Sequence, residues 1–580
     1  MQNNEMYWRN RELRQHVSVI DGAEAPTLIL TNGKYLNMFI KQWIQANIWI
    51  VDERIVYVGE KMPENAGAAE IVDCSGKYLV PGYIEPHAHP FQLYNPEELA
   101  NHAARFGTTT LVNDNMLWLF LLQRKKAFTL MEEFSQLPVS MYWWARFDSQ
   151  TMRQDEEELF NTEEILEWIA HPAVVQGGEL TSWPSLLAGD DRLLYWMQET
   201  GRHGKPVEGH FPGASEKTLT KMKLLGVGAD HESMSGKEVL KRLELGYQVG
   251  LRYSSIRPDL PKLAEELLEA GLTSFDHLTF TTDGATPAFY ENGLLNVCIE
   301  IAIEKGIPVE EAYSIASYNA ARHLHLDELI GSISPGRIAH INILSEKENP
   351  HPESVLAKGQ WIVRDGQNQQ QGPVIDWKKY GIGPLNFDWN LEQKELQFSV
   401  PIGLEMVNDV IMNPYPIDID ITTDVLPENK NDAFTLLLDR KGKWRVNTTI
   451  RGFTEKLGAL ASSFSTTGDL VFIGKSKQDI RLAWQRLKEI GGGIVLVHDG
   501  EVLLEIPLAL GGFMFDGGME ELIEKEKQLR SILTEFGYTF NDPIYTIFFL
   551  SSTHLPYVRI TPQGIIDVMK REILFPATMC

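Results

Sequence analysis

Residues 81–90 read PGYIEPHAHP: a Pro-Gly break, the start of an apolar strand, then His87 and His89 two positions apart. Strand side chains alternate between faces, so a spacing of two sets both imidazoles on one side. At the carboxyl end of a barrel's first strand, where (β/α) barrels carry their reactive groups, two imidazoles so placed can grip one metal ion.

The flanks fit that placement. Upstream, LILTNGKYLN, ANIWIVDERIVYVGE and EIVDCSGKYLV alternate short β-rich runs with turn residues, the pattern of a small β-sandwich. Downstream, from Tyr83 to about Ile330, short apolar runs alternate with helical stretches, as in TTTLVNDN followed by LWLFLLQRKKAFTLMEEF, and KPVEGH followed by SEKTLTKMKLLG. Such alternation predicts βα units around a parallel sheet. SPGRIAHINILSE and VLAKGQWIVRDGQ then return to β-type alternation, as though the chain goes back to finish the sandwich. A polar linker, DGQNQQQGP (Asp365 to Pro373), leads to a last region with strands such as GDLVFIG and GGIVLVHDG. That region also holds one clear helix, SKQDIRLAWQRLKEI, with apolar side chains at Ile480, Ala483, Trp484 and Leu487.

The expected fold class is α/β: a (β/α)8 TIM-like barrel over 83–330, a discontinuous β-sandwich from 1–82 and 331–372, and a C-terminal α+β domain over 380–580. A chain of 580 residues, 43% hydrophobic and 23% charged, has the length for two or three domains and the composition to bury large cores. Its formal charge of −26 repels phosphate backbones and anionic membranes, which argues against nucleic acid as a partner. Cys74, Cys298 and Cys580 lie far apart without CxxC spacing, so neither a disulfide framework nor a structural zinc cluster is indicated. The N-terminus is polar, and the longest apolar runs, such as Met116 to Leu122, fall short of the roughly 20 residues of a membrane span. A cytoplasmic protein is expected.

Further candidate ligands sit where later strands should end. Glu179 follows AVVQGG, and a carboxylate there could bridge two ions. His210 closes GKPVEGH and His231 closes GVGADH some twenty residues on, about one βα unit later. Asp283 closes SFDHLTFTTD, with Asp276 and His277 as decoys. Each alone reads also as an ordinary core or surface residue; in succession behind His87 and His89 they read as one site. Four histidines and two carboxylates suit zinc, iron or manganese better than calcium or magnesium, and a metal pair at such a site activates water to attack an electron-poor carbon. Asp283 is the candidate for moving the proton. Amide or amidine hydrolysis is the expected reaction class.

This succession resembles the amidohydrolase superfamily, and within it the bacterial adenine deaminases, in which a glutamate stands where others carry a carbamylated lysine; Glu179 matches it. The resemblance extends through ASYNAARHLHL and GSISPGR to EKLGALASSF, GGGIVLVHDGEVLLEIPLALGGFM and YTIFFLSSTHLPYVRITPQGIIDV. It implies His87, His89, Glu179, His210, His231 and Asp283 as metal ligands, Asp283 as the catalytic proton shuttle, a binuclear manganese, iron or zinc site, and adenine or a related base as the small-molecule substrate. It also implies a homo-oligomer. Five places depart from the family pattern: Pro90 and Phe91 follow the histidine pair in place of an apolar residue and a glutamate; Glu85 replaces an aspartate; Arg252-Tyr253-Ser254-Ser255 lacks a glutamate; Gly293-Leu294 replaces Gly-His; and Ser462 to Leu470 lacks the histidines of a His-Asp-x-His segment. These departures leave open another nucleobase-like or cyclic amide or amidine substrate, or a catalytically inert relative.

Overall fold

The computed structural model describes residues 8–153, 155–369 and 374–580, so residues 370–373 of the polar linker lie outside it. The strands before and after the barrel join into one nine-stranded mixed sheet. Its first part comprises β1 (Leu28–Asn37), β2 (Gln42–Val51), β3 (Arg54–Gly59), β4 (Glu70–Asp73) and β5 (Tyr78–Pro81). Side-chain alternation sends Leu28 and Leu30 into a core with Ile48, Ile341 and Leu356, while Ile29 faces Val19, Trp49 and Val51. Val19 belongs to a helix, Asn10–Ile20, that the polar N-terminal sequence concealed: only His16 and Val19 of it are buried.

Gly82 is the joint between this sheet and the barrel. A Cβ there would lie 2.0 Å from Thr109 Oγ1, so only glycine lets the chain pass. Eight parallel strands then follow in sequence order: β6 (Tyr83–Ala88), β7 (Thr108–Asp114), β8 (Ser140–Ala145), β9 (Val174–Leu180), β10 (Val207–Gly209), β11 (Ala229–Asp230), β12 (Gln248–Arg252) and β13 (Leu278–Thr281). All are buried along their length, the signature of parallel strands covered by helices outside and packed side chains inside. Glu85 ties last strand to first: its carboxylate accepts from Thr281 Oγ1 at 2.8 Å, Thr282 N at 2.9 Å and Thr282 Oγ1 at 2.8 Å. The stretch 117–134 is helical but broken, into Met116–Leu121 and Arg124–Phe134, because Leu122 is extended at φ −130°, ψ 147°.

The returning strands β14 (Ile341–Leu344), β15 (Ser354–Ala357), β16 (Gln360–Arg364) and β17 (Gln367–Asn368) extend the first sheet, with β14 antiparallel to β5. The C-terminal region builds a second nine-stranded sheet and a three-stranded one. Within it, Ala459, Ala461, Val495 and Val497 face the helix Lys477–Glu489, while Leu460, Ile494 and Leu496 face the core shared with the barrel. That helix starts where Ser476 caps Asp479 N at 3.2 Å and buries Ile480, Ala483, Trp484 and Leu487. Among the described residues no helix is long and apolar enough to cross a membrane.

Candidate metal centre

His87 is the fifth residue of β6, His89 stands one past its end, and Glu179 lies within β9. His210 and His231 directly follow β10 and β11, and Asp283 lies two residues beyond β13. The barrel brings these six together in three overlapping triads whose ligand atoms lie within 4.8 Å of one another: His87, His89 and Glu179; His87, His231 and Asp283; Glu179, His210 and His231. Asp276 and His277 stay out of the cluster, and Asp276 instead pairs with Lys41 at 3.0 Å. Asp283 reaches in through a left-handed backbone, φ 47°, followed by Gly284, where a Cβ would lie 2.5 Å from that of His89.

Carboxylates behind the rings aim them. Glu208 Oε1 accepts from His231 Nδ1 at 2.8 Å, and its Oε2 lies 3.3 Å from His87 Nδ1. Asp114 Oδ2 lies 2.9 Å from His89 Nδ1 and is held by Arg146 Nη2 at 2.5 Å. Trp144 stacks on His87 with ring centroids 4.3 Å apart. Carboxylate-backed imidazoles of this kind present their other nitrogen inward in a fixed tautomer. The inward atoms are His87 Nε2 and His89 Nε2, at 3.5 and 3.0 Å from Asp283 Oδ1, and His210 Nδ1 and His231 Nε2, at 2.6 and 3.6 Å from Glu179 Oε1. The other Glu179 oxygen, Oε2, faces His89 Nε2 at 3.9 Å and accepts from Gln150 Nε2 at 2.9 Å. Glu179 thus stands between two histidine pairs, one oxygen toward each.

The cluster holds a surplus of buried negative charge: the carboxylates of Asp114, Glu179, Glu208, Glu232 and Asp283 face the buried guanidiniums of Arg146 and Arg252, with Arg257 at the rim. Burial alone would raise these acids. Arg146 and His89 nonetheless hold Asp114 at about 2, and Arg252 with His89 and His231 holds Asp283 well below the carboxylate range. Burial opposes charge on His89 too, yet Asp114 and Asp283 push it up to about 9, and Glu179 and Glu208 push His231 well above its ordinary value. The carboxylates therefore call for positive charge at the histidine nitrogens. Divalent cations meet that demand, and His87 Nε2, His210 Nδ1 and His231 Nε2 are buried without hydrogen-bond partners among the described residues, so the residues fit a metal pair.

Sequence reading passed over several contributors. Asp114 and Arg146 end or follow barrel strands, and Glu208 and Glu232 neighbour the candidate ligands His210 and His231; their charge at strand ends was the available signal. Arg252, noted there only within a departure, salt-bridges Glu232 and Asp283 at 2.6 Å each. The departing Phe91 is 1% exposed beside His89, Tyr253 packs on Phe289, and Leu294 is buried. The segment 462–470 braces the helix and loop at 543–554: Thr466 N donates to Phe548 O at 3.1 Å and its Oγ1 meets Ser551 Oγ at 3.0 Å. From that helix and loop two groups approach the centre. Tyr545 is buried, its phenol pushed well up by burial and by Asp283; half-buried His554 sits edge-on to His210 at 5.6 Å, its imidazole pushed down to about 3 by burial and by His210.

Comparison with known proteins finds two matches to family models: the amidohydrolase family over residues 78–362, and the adenine deaminase C-terminal domain over residues 411–572. The chain is 62% identical, across 99% of each sequence, to a protein of Oceanobacillus iheyensis named "Putative adenine deaminase". It is 29% identical, over 97% of its length and 95% of the relative's, to the "Adenine deaminase" of Cenarchaeum symbiosum. Among solved structures, the β-aspartyl dipeptidase of Fervidobacterium islandicum AW-1 aligns with a TM-score of 0.45 at 20% identity, covering 59% of this chain and 98% of that one.

Proposed function

The chain belongs to the adenine deaminase family of the amidohydrolase superfamily, and from that premise we propose that it hydrolyses adenine to hypoxanthine and ammonia at the centre around Glu179. The observation that carries the reading is Glu179 itself, a buried carboxylate with one oxygen toward His210 and His231 and the other toward His89. His87, His89, Glu179 and Asp283 would hold one ion, and Glu179, His210 and His231 a second; manganese, iron and zinc all suit this donor set. Bound there, divalent cations lower the pKa of water toward neutrality.

The remaining chemistry falls to the chain. Asp283 takes the proton released as water adds to C6 of the base and delivers it to the C6 amino nitrogen, so the C–N bond breaks and ammonia leaves neutral. Arg252 binds Oδ2 of Asp283 at 2.6 Å, which leaves Oδ1, on the histidine side, for that proton. Glu232, bound by Arg252 and Arg257, fixes Arg252 in turn. Glu85 holds Thr281 and Thr282 and so sets where Asp283 stands. The same reading makes the protein a cytoplasmic, homo-oligomeric enzyme of purine metabolism; its charge of −26 supports a small-molecule substrate over nucleic acid.

The test is conversion of adenine by the metal-loaded protein, followed as ammonia and hypoxanthine, with Asp283→Asn as control. The reading predicts conversion by the wild type and loss of at least about 10³-fold in the variant. Phe91 against His89, where the family carries a glutamate, favours as second reading a related cyclic amidine with an apolar face. Silence on adenine with brisk ammonia release from such a base would select it.

A further inference from the structure

The C-terminal domain does more than brace the barrel. Residues 551–554 dock on the barrel loop at 149–151: Thr151 bridges Ser552, Thr151 Oγ1 donates to Ser551 O at 2.7 Å, and Thr553 N donates to Gln150 O at 3.0 Å. Gln150 is the residue whose side chain donates to Glu179. His554 follows, its Nδ1 3.3 Å from that same Gln150 carbonyl. A carbonyl oxygen only accepts, so Nδ1 carries the hydrogen and Nε2 keeps a lone pair. Among the described residues no protein group bonds that Nε2, and it is not sealed like the inward nitrogens of the metal centre. Its ring lies 5.6 Å from that of His210.

The acceptors nearer the centre are carboxylates engaged by arginine or histidine. A neutral acceptor beside His210 is a different element. An amidine edge offers N–H donors there, whereas the product of hydrolysis offers a carbonyl oxygen whose lone pairs oppose those of Nε2. We propose that His554 Nε2 accepts a hydrogen bond from the amino group that leaves, so that a residue of the C-terminal domain distinguishes substrate from product. This rests on the adenine reading above.

His554→Asn tests it, because the carboxamide nitrogen reproduces Nδ1 and still reaches Gln150 O, while nothing stands at Nε2. His554→Gln places an amide oxygen near the Nε2 position. The expected result is a fall of at least about tenfold in kcat/KM for adenine in the Asn variant, the size of one lost hydrogen bond. The inhibition constant of purine, which carries hydrogen at C6, stays at the wild-type value, melting temperature and metal content are unchanged, and the Gln variant recovers part of the loss. An Asn variant that turns over adenine like the wild type overturns the proposal, as does one in which adenine turnover and purine inhibition weaken together. A wild-type enzyme inert on adenine removes the underlying reading, and the proposal with it, before any substitution is compared.

Discussion

Replacing Glu208 by glutamine changes one atom and should weaken both ions. Glu208 is buried, its Oε1 takes the hydrogen of His231 Nδ1 at 2.8 Å, and its Oε2 accepts from Gln176 Nε2 at 2.7 Å and lies 3.3 Å from His87 Nδ1. The amide fills the same volume but can accept at only one of those ends. Its NH₂ must face either the His231 N–H or the donors of Gln176 and His87, and the end that still accepts does so without the carboxylate's negative charge, so both rings lose the basicity it lends them. Each carboxylate that orients a metal-binding histidine is worth about 10- to 100-fold in metal affinity, or about 1.4–2.8 kcal/mol. His87 shares a candidate ligand group with His89 and Glu179, His231 shares one with His210 and Glu179, and the two meet in a third with Asp283. Glu208→Gln should therefore weaken both ions by about that factor, whereas Asp114→Asn, behind His89 alone, should weaken one. Competition against a fluorescent chelator reads both affinities, with the melting temperature of the metal-free proteins as a check on folding. Two affinities within about threefold of wild type in a folded Glu208→Gln protein would refute the orienting role.

Three further outcomes follow from the same physics. Burial pushes Glu97 up to about 7 although Ile375 N donates to it. Its folded pKa lies above the unfolded value, so its favourable contribution is complete below the unfolded pKa and is lost as pH rises through 7. Glu97→Gln should then be more stable than wild type by about 2–3 kcal/mol at pH 8 and equal to it near pH 4, as read by urea denaturation, and no gain at pH 8 would contradict the assignment. Trp144→Ala removes a fully buried ring from beneath His87 and should cost about 3–5 kcal/mol in the same assay, where a loss under about 1 kcal/mol would argue against that packing. Adding divalent metal to chelated protein should raise stability by about 2.7 kcal/mol for each ion at a hundred times its dissociation constant, and a melting temperature indifferent to metal would speak against a metal centre.

The parts of this molecule that local rules govern are the ones its sequence displays. His87 and His89 were readable because a period of two after a Pro-Gly joint implies a shared face, and His210 and His231 because one βα unit separates them. The helix Lys477–Glu489 was readable from its apolar spacing and its serine cap. What lay hidden depends on neighbours far along the chain. Glu208 serves His87 because barrel closure brings β10 and β6 to one centre, a contact across 121 residues that no window contains. Gln150 and His554 meet across 404 residues and through a domain boundary. The helix Asn10–Ile20 escaped because so few of its side chains are buried, and the break at Leu122 because an apolar run carries no turn residue.

The most direct test of the account is the rate of adenine conversion as metal-free protein is titrated with manganese, iron or zinc. Glu179 between two histidine pairs predicts that hypoxanthine production rises with added metal and saturates at two ions per chain, and that Glu179→Gln shows no such rise. Saturation at one ion, or conversion that proceeds without metal, would contradict the centre described here.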